Sequence, residues 1–288
     1  MCEGHEDRMS DFAARRAAFK RLHESGCFAI PNPWDVGTAR YLQQLGFKAL
    51  ATTSSGFSFS RGLPDGDGSV SRDAALGHIA EIVAASDLPV NADFESGYAR
   101  DPEGVGESVR LCVATGVAGL SIEDSTGDPG QPLFELPIAV ERVKAARAAI
   151  DASGSGVLLT ARAECFLVGH ATALDESIRR LRAYAEAGAD VLYAPGPRER
   201  GDIQAIVAAV APKPVNVLMS SHTGLTLADL AALGARRVSV GSSLSRAAWT
   251  GFIRAAKGIA EDGTFKGFEG LTPYAELNQF FREDAKRR

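Results

Sequence analysis

The chain of 288 residues is long enough for two average domains or for one large α/β barrel. Its 45% hydrophobic and 23% charged residues are typical of a globular protein, and its formal net charge of −5 is dispersed along the chain. This composition argues against a nucleic-acid-binding surface, and no apolar run reaches the roughly 18 residues of a membrane span. We therefore expect neither nucleic-acid nor membrane partners.

The N-terminal segment and the cysteines are typical of a cytoplasmic protein. The first residues, MCEGHEDRMSDFAARR, are charged from the third position and lack the apolar core of a secretory signal. We expect residues 1–8 to form a disordered tail. The four cysteines show no metal-binding spacing, and Cys27 and Cys112 lie in apolar stretches that are typical of buried thiols.

Apolar runs that are typical of strands alternate with helical patterns along the chain. The predicted strands cover residues 27–33, 47–55, 88–95, 118–124, 156–164, 189–195, 214–220 and 236–241. The predicted helices lie near residues 35–45, 73–85, 102–115, 137–150, 172–188, 202–210, 226–233 and 245–260. Eight apolar strands, each followed by a helix, predict an α/β fold in which a parallel sheet closes into a (β/α)8 TIM barrel.

A doubly wound open sheet is the alternative fold. It is disfavoured because no G-x-G-x-x-G sequence follows the first predicted strand. No linker or shift in composition divides the chain, so we predict a single barrel domain over residues 21–262. An N-terminal tail and lead-in helix over residues 1–20 precede it, and a C-terminal helical extension over residues 263–288 follows it.

The C-terminal extension contains a further predicted helix. In the segment 271–284, Leu277, Phe280 and Phe281 fall on one face of this helix. Such an apolar face is stable in water only when it is buried. It either caps the barrel or packs against a partner subunit, and the sequence leaves both alternatives open.

Candidate site residues are those that follow each predicted strand, because active sites of such barrels lie at the carboxyl ends of the strands. The acidic ones are Asp93 and Glu95 after strand three, Glu123 and Asp124 after strand four, and Glu164 after strand five. The other candidates are Trp34, Thr53, Ser54, Ser55, Arg162, Tyr193 and Asn216. Burying carboxylates side by side is unfavourable, so a cation is expected among them.

The donor atoms at these positions favour Mg²⁺, with Mn²⁺ as the alternative, over Zn²⁺, because they are oxygens without histidine or cysteine. We predict that Asp93 and Glu95 bind the metal and that Glu123 orients metal-bound water. In the alternative interpretation, Asp93 and Glu95 only cap the following turn or pair with Arg100.

Three further features can bind or react with a substrate. The guanidinium of Arg162 can clamp a carboxylate or phosphonate oxygen, or it can form a structural pair with Glu164 or Glu123. The TTSSG stretch offers hydroxyl and backbone N–H groups to a carboxylate. His222 is the only obvious titratable group in the loop after strand seven and is therefore a candidate acid or base.

The motifs PNPWDVGTARYLQQLGFKAL, TTSSG, LPVNADFESGY, AGLSIED and LLTARAE occur in this order between about residues 28 and 250. Together they resemble the isocitrate lyase/phosphoenolpyruvate mutase superfamily, and especially its short, mutase-like members. The resemblance implies a (β/α)8 barrel whose last helix is swapped between the subunits of a homodimer or homotetramer. It also implies that Mg²⁺ and a 2-oxo acid bind, and that a C–C or P–C bond is made or broken through an enolate-like intermediate.

The resemblance also implies a role for individual residues. Asp93 and Glu95 stand at the positions of the family's metal-binding acids, and Glu123 at the position of the acid next to the metal site. Arg162 stands at the position of the arginine that clamps the substrate. Asn216 stands where the family often has a polar residue in the seventh strand. The residues predicted to contact the substrate are Trp34, Thr53, Ser54, Ser55, Asp93, Arg162 and Asn216, and those predicted to be catalytic are Arg162, Glu123 and His222.

The sequence departs from the family lyases after the fourth strand. Those lyases carry a K-[KR]-C-G-H loop whose cysteine performs acid–base chemistry, whereas STGDPGQPLFELP (125–137) contains no cysteine, lysine or histidine. Cleavage of isocitrate or methylisocitrate by that route is therefore not expected. We predict a Mg²⁺-dependent enzyme acting on oxaloacetate, phosphonopyruvate or a related 2-oxo acid. A non-catalytic 2-oxo-acid binder or sensor and a metal-dependent aldolase are the alternatives.

Overall fold

The structure of the chain is a computed structural model that describes residues 3–287, with side chains from residue 11 onward. It contains two compact units, one ending at Ser242 and the other beginning at Ser243. The domain bounds expected from the sequence, with the barrel ending at residue 262, stay a prediction.

Eight strands of the first unit form one parallel sheet. Their bounds are β1 Phe28–Ile30, β2 Leu50–Ala51, β3 Val90–Asp93, β4 Gly119–Glu123, β5 Leu158–Arg162, β6 Val191–Tyr193, β7 Val215–Leu218 and β8 Arg237–Ser239. Neighbours in the sheet follow the order β1-β8-β7-β6-β5-β4-β3-β2. The Ala51 N–H also donates to the Pro31 carbonyl at 3.0 Å, next to β1. The sheet is therefore a nearly closed barrel, which confirms the predicted fold class.

Helices follow each strand. Those of the first unit are α1 Glu3–Leu22, α2 Val36–Gln44, α3 Ser54–Ser60, α4 Arg72–Ala85, α5 Pro102–Ala114, α6 Leu136–Ala152, α7 Ala173–Glu186, α8 Arg200–Val210 and α9 Leu227–Ala232. The prediction of a disordered tail is wrong from Glu3 onward, where α1 begins, and α1 as a whole is rich in alanine and arginine, which favour helices. Residues 1 and 2 of that tail lie outside the described residues.

Helix α3 is the second difference from the sequence prediction, which placed Ser54 and Ser55 at the end of strand two and the following residues in a loop. Its sequence, SSGFSFS, has a low helix propensity. The helix is stabilised at its start, where the Thr53 hydroxyl accepts a bond from the Gly56 N–H at 3.2 Å. Phe57 then buries its ring in a small apolar cluster with Val70 and Ala75. Capping and tertiary packing outweigh the intrinsic preference of this short segment.

Helix α1 packs near the N-terminal ends of the strands, on the side of the barrel away from the candidate site. Arg16 is buried, and its Nε donates to the Val117 carbonyl at 3.0 Å, just before β4. Phe19 is fully buried in a cluster with Phe28 of β1 and Leu158 of β5. These contacts stabilise the N-terminal face, where (β/α)8 barrels carry structure rather than chemistry.

The second unit consists of α10 Ser243–Asp262, a 3-10 turn Lys266–Phe268 and α11 Tyr274–Ala285. Gly267 of the turn lies against α10 so closely that a Cβ there would approach the Ala255 Cα to 2.5 Å. Large apolar side chains of this unit are exposed, among them Trp249, Phe252, Phe265, Leu271 and Tyr274. Among residues 3–287, no helix combines the length and apolar character that crossing a bilayer requires.

Candidate active site

Arg162, at the carboxyl end of β5, is shared by three carboxylates. Its Nη1 lies 2.7 Å from Asp93 Oδ1, its Nη2 lies 3.2 Å from Glu123 Oε2, and its Nε and Nη2 each lie 2.9 Å from Glu164 Oε1. Glu123 is paired with Arg162 in the β4–β5 register. The ends of β3, β4 and β5 thus bring together residues that the sequence predicted to share one site.

The pKa values of Arg162 and of the carboxyl groups around it are strongly perturbed. Burial alone would lower the pKa of Arg162, but the carboxylates of Glu164, Glu123 and Asp93 raise it well above its ordinary value. Burial raises the pKa of Glu123 and of Glu164, and neighbouring carboxylates add to the rise against the opposing effect of Arg162. One guanidinium therefore does not neutralise the carboxylates around it.

Asp93 is held in place by the start of α3. Its Oδ2 accepts a bond from the Ser54 N–H at 3.0 Å and another from the Ser54 hydroxyl at 3.1 Å. The Asp93 N–H donates to the Thr52 hydroxyl at 2.9 Å. The TTSSG stretch, predicted to bind a substrate carboxylate, thus directs Ser54 toward Asp93, while the Thr53 hydroxyl caps α3.

Glu95 lies in a turn that is unfavourable for its residue type. Its φ of 47° and the φ of 53° at Tyr98 are in the left-handed region that non-glycine residues rarely adopt. The Tyr98 hydroxyl donates to Glu95 Oε1 at 2.8 Å, and the Glu123 N–H donates to the Glu95 carbonyl at 3.0 Å. Burial raises the pKa of Glu95 to about 7, with a further rise from Asp93, against the Tyr98 bond.

Arg142 of α6 fixes the rest of this turn. It is almost fully buried, and its Nη1 donates to the Ala99 carbonyl at 2.7 Å. The same guanidinium also binds the carbonyls of Ser96 and Arg100, and it lies 4.0 Å from the centroid of the Phe134 ring. Three backbone acceptors on one guanidinium hold the Glu95 turn against α6.

Asp65 is a site residue that the sequence analysis missed. It lies in the loop between α3 and α4 and is exposed as a residue, yet desolvation of its carboxyl group raises its pKa to about 6. The Asp93 carboxylate raises this pKa further, whereas Ser54 and Arg162 lower it, and we therefore count Asp65 with the same group. We name the set Asp65, Asp93, Glu95, Glu123 and Glu164 the acid cluster.

A cavity of about 610 Å³ opens beside the acid cluster. Its volume is within the range of small-molecule sites. Glu95 and Glu123 line it. Arg72, at the beginning of α4, and Arg100, near the end of the β3–α5 loop, line it as well. The remaining lining residues come from the α3–α4, β3–α5 and β4–α6 loops: Gly66, Asp67, Gly68, Val70, Ser71, Ser96, Tyr98, Ala99, Ser125, Thr126, Gly127, Asp128 and Phe134.

Asn216, predicted to contact the substrate, lies inside the barrel. Its Oδ1 accepts a 2.8 Å bond from Arg237 Nε, and its Nδ2 donates to the Ser239 hydroxyl at 2.9 Å. Arg237 also donates to the Thr160 hydroxyl at 3.1 Å. Both ends of its amide are used in this buried network, and among the described residues no hydrogen bond joins Asn216 to Asp65, Asp93, Glu95, Glu123 or Glu164.

Other predicted residues occupy different surroundings. His222 is exposed in the β7–α9 loop, and within the described part of the chain no hydrogen bond or ion pair joins it to the acid cluster. Trp34 is half-buried, and its backbone N–H donates to the Thr38 hydroxyl at 3.3 Å. The Ser55 hydroxyl lies 3.4 Å from that of Thr53. Tyr193 was named only as a strand-end residue, and its ring centroid lies 5.0 Å from the Arg162 guanidinium carbon.

The donor set fits a hydrated magnesium ion rather than a closed metal cage. Within residues 11–287, no three aspartate, glutamate, histidine or cysteine side chains are close enough to enclose a metal. Mg²⁺ usually takes one or two carboxylates and completes its shell with water and substrate oxygens. Burial raises the pKa values of Asp65, Glu95 and Glu123, and neighbouring carboxylates add to the rise, so a divalent cation among them would offset part of it.

Comparison with known proteins identifies the family. The sequence profile described as phosphoenolpyruvate phosphomutase matches residues 19–260. The chain belongs to this family. A solved structure from Burkholderia cenocepacia J2315, whose name gives only the class lyase/mutase, is 48% identical with a TM-score of 0.90, over 94% of this chain and 98% of that one.

Two further relatives have more specific names. Oxaloacetate decarboxylase of Paraburkholderia xenovorans (strain LB400) is 30% identical over 240 residues, which cover 80% of this chain and 75% of the relative. The structure of an oxaloacetate acetylhydrolase in complex with its product oxalate is 26% identical with a TM-score of 0.83, over 96% of both chains.

These matches confirm the resemblance to the phosphoenolpyruvate mutase/isocitrate lyase superfamily. Its matching members include lyases, mutases and decarboxylases. The chain is therefore an enzyme of a superfamily that forms or cleaves C–C or P–C bonds of 2-oxo acids.

Proposed function

We propose that this enzyme is Mg²⁺-dependent and cleaves the C–C or P–C bond that joins a carboxylate or phosphonate group to the carbon next to the oxo group of a small 2-oxo acid. Oxaloacetate is the first candidate substrate and phosphonopyruvate the second. The observation that supports this proposal best is the sharing of Arg162 by three carboxylates at the strand ends. The adjoining cavity of about 610 Å³ has room for such a substrate.

The acid cluster has the donors for the metal. Asp93 and Glu95 would hold Mg²⁺ directly, and Glu123 and Asp65 would accept hydrogen bonds from its water molecules. When bound, Mg²⁺ supplies a positive charge that polarises the oxo group of the substrate. Ser54 and Tyr98 keep Asp93 and Glu95 oriented through the bonds described above.

Arg162 supplies a positive charge next to the proposed metal ligands. Cleavage of this bond leaves its electron pair on the carbon next to the oxo group, and that pair is delocalised onto the oxo oxygen as an enolate. A preorganised guanidinium at this position stabilises that charge or the substrate carboxylate beside it. Its neighbours Asp93, Glu123 and Glu164 fix its orientation, so that it needs little reorganisation during the reaction.

The surroundings of the cavity favour decarboxylation as the first reaction to test. Among the described residues that line it there is no lysine, histidine or cysteine. Loss of CO₂ from a 3-carboxylated 2-oxo acid requires stabilisation of the enolate and then one proton, but no base to begin it. The Glu123 carboxyl lines the cavity and can carry that proton. The names of the two oxaloacetate-acting relatives support the same substrate class.

NMR on purified protein with Mg²⁺ tests this proposal. The substrates are oxaloacetate, phosphonopyruvate, 2-methylisocitrate, a 4-hydroxy-2-oxo acid and 2-oxoglutarate, each with a protein-free Mg²⁺ control because oxaloacetate also decarboxylates slowly by itself. Asp93→Asn and Arg162→Met should abolish the turnover, and EDTA should too, whereas Asp87→Asn should leave it unchanged. Turnover that survives EDTA, or Mg²⁺-dependent binding of a 2-oxo acid without any turnover, contradicts the proposal.

A homodimer or homotetramer with a swapped last helix is part of the same proposal. It is supported by the exposed apolar side chains of the second unit.

A further inference from the structure

His78 is a histidine at a core position of α4. It lies on the buried face of the helix with Ala75, Ile79 and Ile82, and only 7% of its surface is exposed. Its Nε2 has no hydrogen-bond partner among the described residues. A buried polar atom without a partner is unfavourable. Packing alone therefore does not explain why a histidine occupies this position.

The ring of His78 supports the helix that holds Asp93. It stacks on Phe57 with 4.1 Å between the ring centroids and an interplanar angle of 11°. Phe57 belongs to α3, whose first residue, Ser54, donates its N–H and its hydroxyl to Asp93 Oδ2. His78 is therefore joined to the acid cluster through one ring contact and one short helix.

A second connection runs through a small cavity behind the acid cluster. His78, Ser54, Asp93, Glu95 and Tyr98 all line this cavity, whose volume is about 10 Å³. That volume is at the lower limit of what one water molecule occupies. A water there would have hydroxyl, carboxylate and imidazole groups around it, and two to four such partners are what a buried water requires.

We propose that His78 is a positioning residue of the acid cluster, whose Nε2 binds a buried water that is also hydrogen-bonded to the carboxylates of Asp93 and Glu95. The water would transmit the fixed position of α4 to the two proposed metal ligands, while the ring stack fixes α3. A neutral imidazole suits this role, because it avoids a charge in a buried site. Burial, with Arg61 adding to it and Asp35 opposing it, lowers the pKa of His78 to about 4.

Three substitutions separate the role of Nε2 from that of the ring. His78→Phe keeps the ring stack and removes Nε2, His78→Gln places an amide nitrogen near Nε2, and His78→Asn places one near Nδ1 instead. Mn²⁺ affinity, measured by titration without substrate, should fall about tenfold in His78→Phe and His78→Asn, as for other groups that orient metal ligands. His78→Gln should restore most of this affinity. Wild-type affinity in His78→Phe overturns the proposal.

This metal readout rests on the proposed function, so a second measurement is independent of it. A high-resolution crystal structure of the unchanged protein should contain a water within hydrogen-bond distance of His78 Nε2 and of Asp93 or Glu95. A different partner on Nε2, or no water there, overturns the proposal. If the unchanged protein binds no Mn²⁺ although this water is present, the proposed metal site fails and the positioning role of His78 stands.

Discussion

The guanidinium of Arg162 lies 2.7 Å from the carboxylate of Asp93, although β5 and β3 are not neighbours in the sheet. Strand β4 lies between them and contributes Glu123, 3.2 Å from the same guanidinium. Three strand ends are thus joined through one arginine. Since a buried charge without its partner is costly, this arrangement links the stability of the barrel mouth to the charges used for chemistry.

Arg162→Met should reduce both turnover and stability. Turnover should fall by about a hundredfold or more, because a charge that stabilises the developing oxyanion is lost. The free energy of unfolding should fall by about 3–5 kcal/mol at neutral pH, since Asp93, Glu123 and Glu164 lose their partner. Urea unfolding and a turnover assay measure the two effects.

A double variant separates the two effects. Arg162→Met with Glu164→Gln removes one of the uncompensated charges and should regain part of the stability but none of the turnover. Recovery of turnover in the double variant would contradict a direct role of Arg162 in the reaction.

Arg142→Ala should loosen the turn that carries Glu95. Loss of this buried guanidinium leaves the Ser96, Ala99 and Arg100 carbonyls without their donor, and we expect a cost of about 3 kcal/mol or more in unfolding free energy. Amide hydrogen exchange over residues 96–100 should become faster.

The matched control for this prediction is Arg110→Ala. Arg110 is exposed and, among the described residues, pairs with the exposed Glu107, so its removal should leave the stability close to that of the unchanged protein. Equal effects of the two substitutions would show that Arg142 does not hold the turn.

Much of the acid cluster could be predicted from the sequence. Four charged residues end apolar strands or directly follow them: Asp93, Glu123, Arg162 and Glu164. A parallel barrel brings the carboxyl ends of its strands together whatever the sequences of the loops. The local sequence pattern therefore predicts both the strand and the residue at its carboxyl end. It cannot give the ion pairs themselves, because these depend on side-chain directions.

The residues that the sequence analysis missed or misplaced depend on tertiary contacts. Asp65 lies in a loop rich in glycine and proline, and only the folded loop brings it near Asp93. Asn216 is the second residue of the four-residue β7, well before its end, and it pairs in register with Arg237 inside the barrel. The predicted strand seven was too long to distinguish the interior from the mouth.

His23 should make the protein less stable in acid. Burial, with Arg237 and Arg236 adding to it, lowers the pKa of His23 to about 3, against the effect of its Nδ1 bond to the Phe19 carbonyl. Because the folded-state pKa is below the unfolded value of about 6.5, protonation favours the unfolded state. The stabilisation is complete above that value and is lost as the pH falls toward 3.

The expected effect between pH 7 and pH 5 is a loss of about 2 kcal/mol in unfolding free energy. His23→Asn removes the titrating group, so the variant should show a correspondingly smaller loss over this range in urea unfolding. Parallel pH dependences of the unchanged protein and the variant would contradict a neutral, buried His23.

Cys165 should not take part in the reaction, although it follows Glu164 directly. It is fully buried, and burial raises the pKa of its thiol to about 11. Iodoacetamide at neutral pH should therefore modify Cys165 more slowly than the half-buried Cys27, as measured by mass spectrometry. Cys165→Ala should keep the turnover of the unchanged protein, and loss of turnover without loss of stability would assign the thiol a chemical role.

The second unit should associate with another subunit. Phe252, Leu271 and Tyr274 expose 61%, 64% and 82% of their surface, and exposed apolar side chains of this size often mark an interface. Light scattering after size-exclusion chromatography should give the mass of a dimer or tetramer for the unchanged protein. Phe252→Asp with Tyr274→Asp should lower this mass, whereas Lys257→Asp, an exposed charge on the same helix as Phe252, should not. A monomeric mass for the unchanged protein would contradict the prediction, because these apolar side chains would then lie in water without a partner.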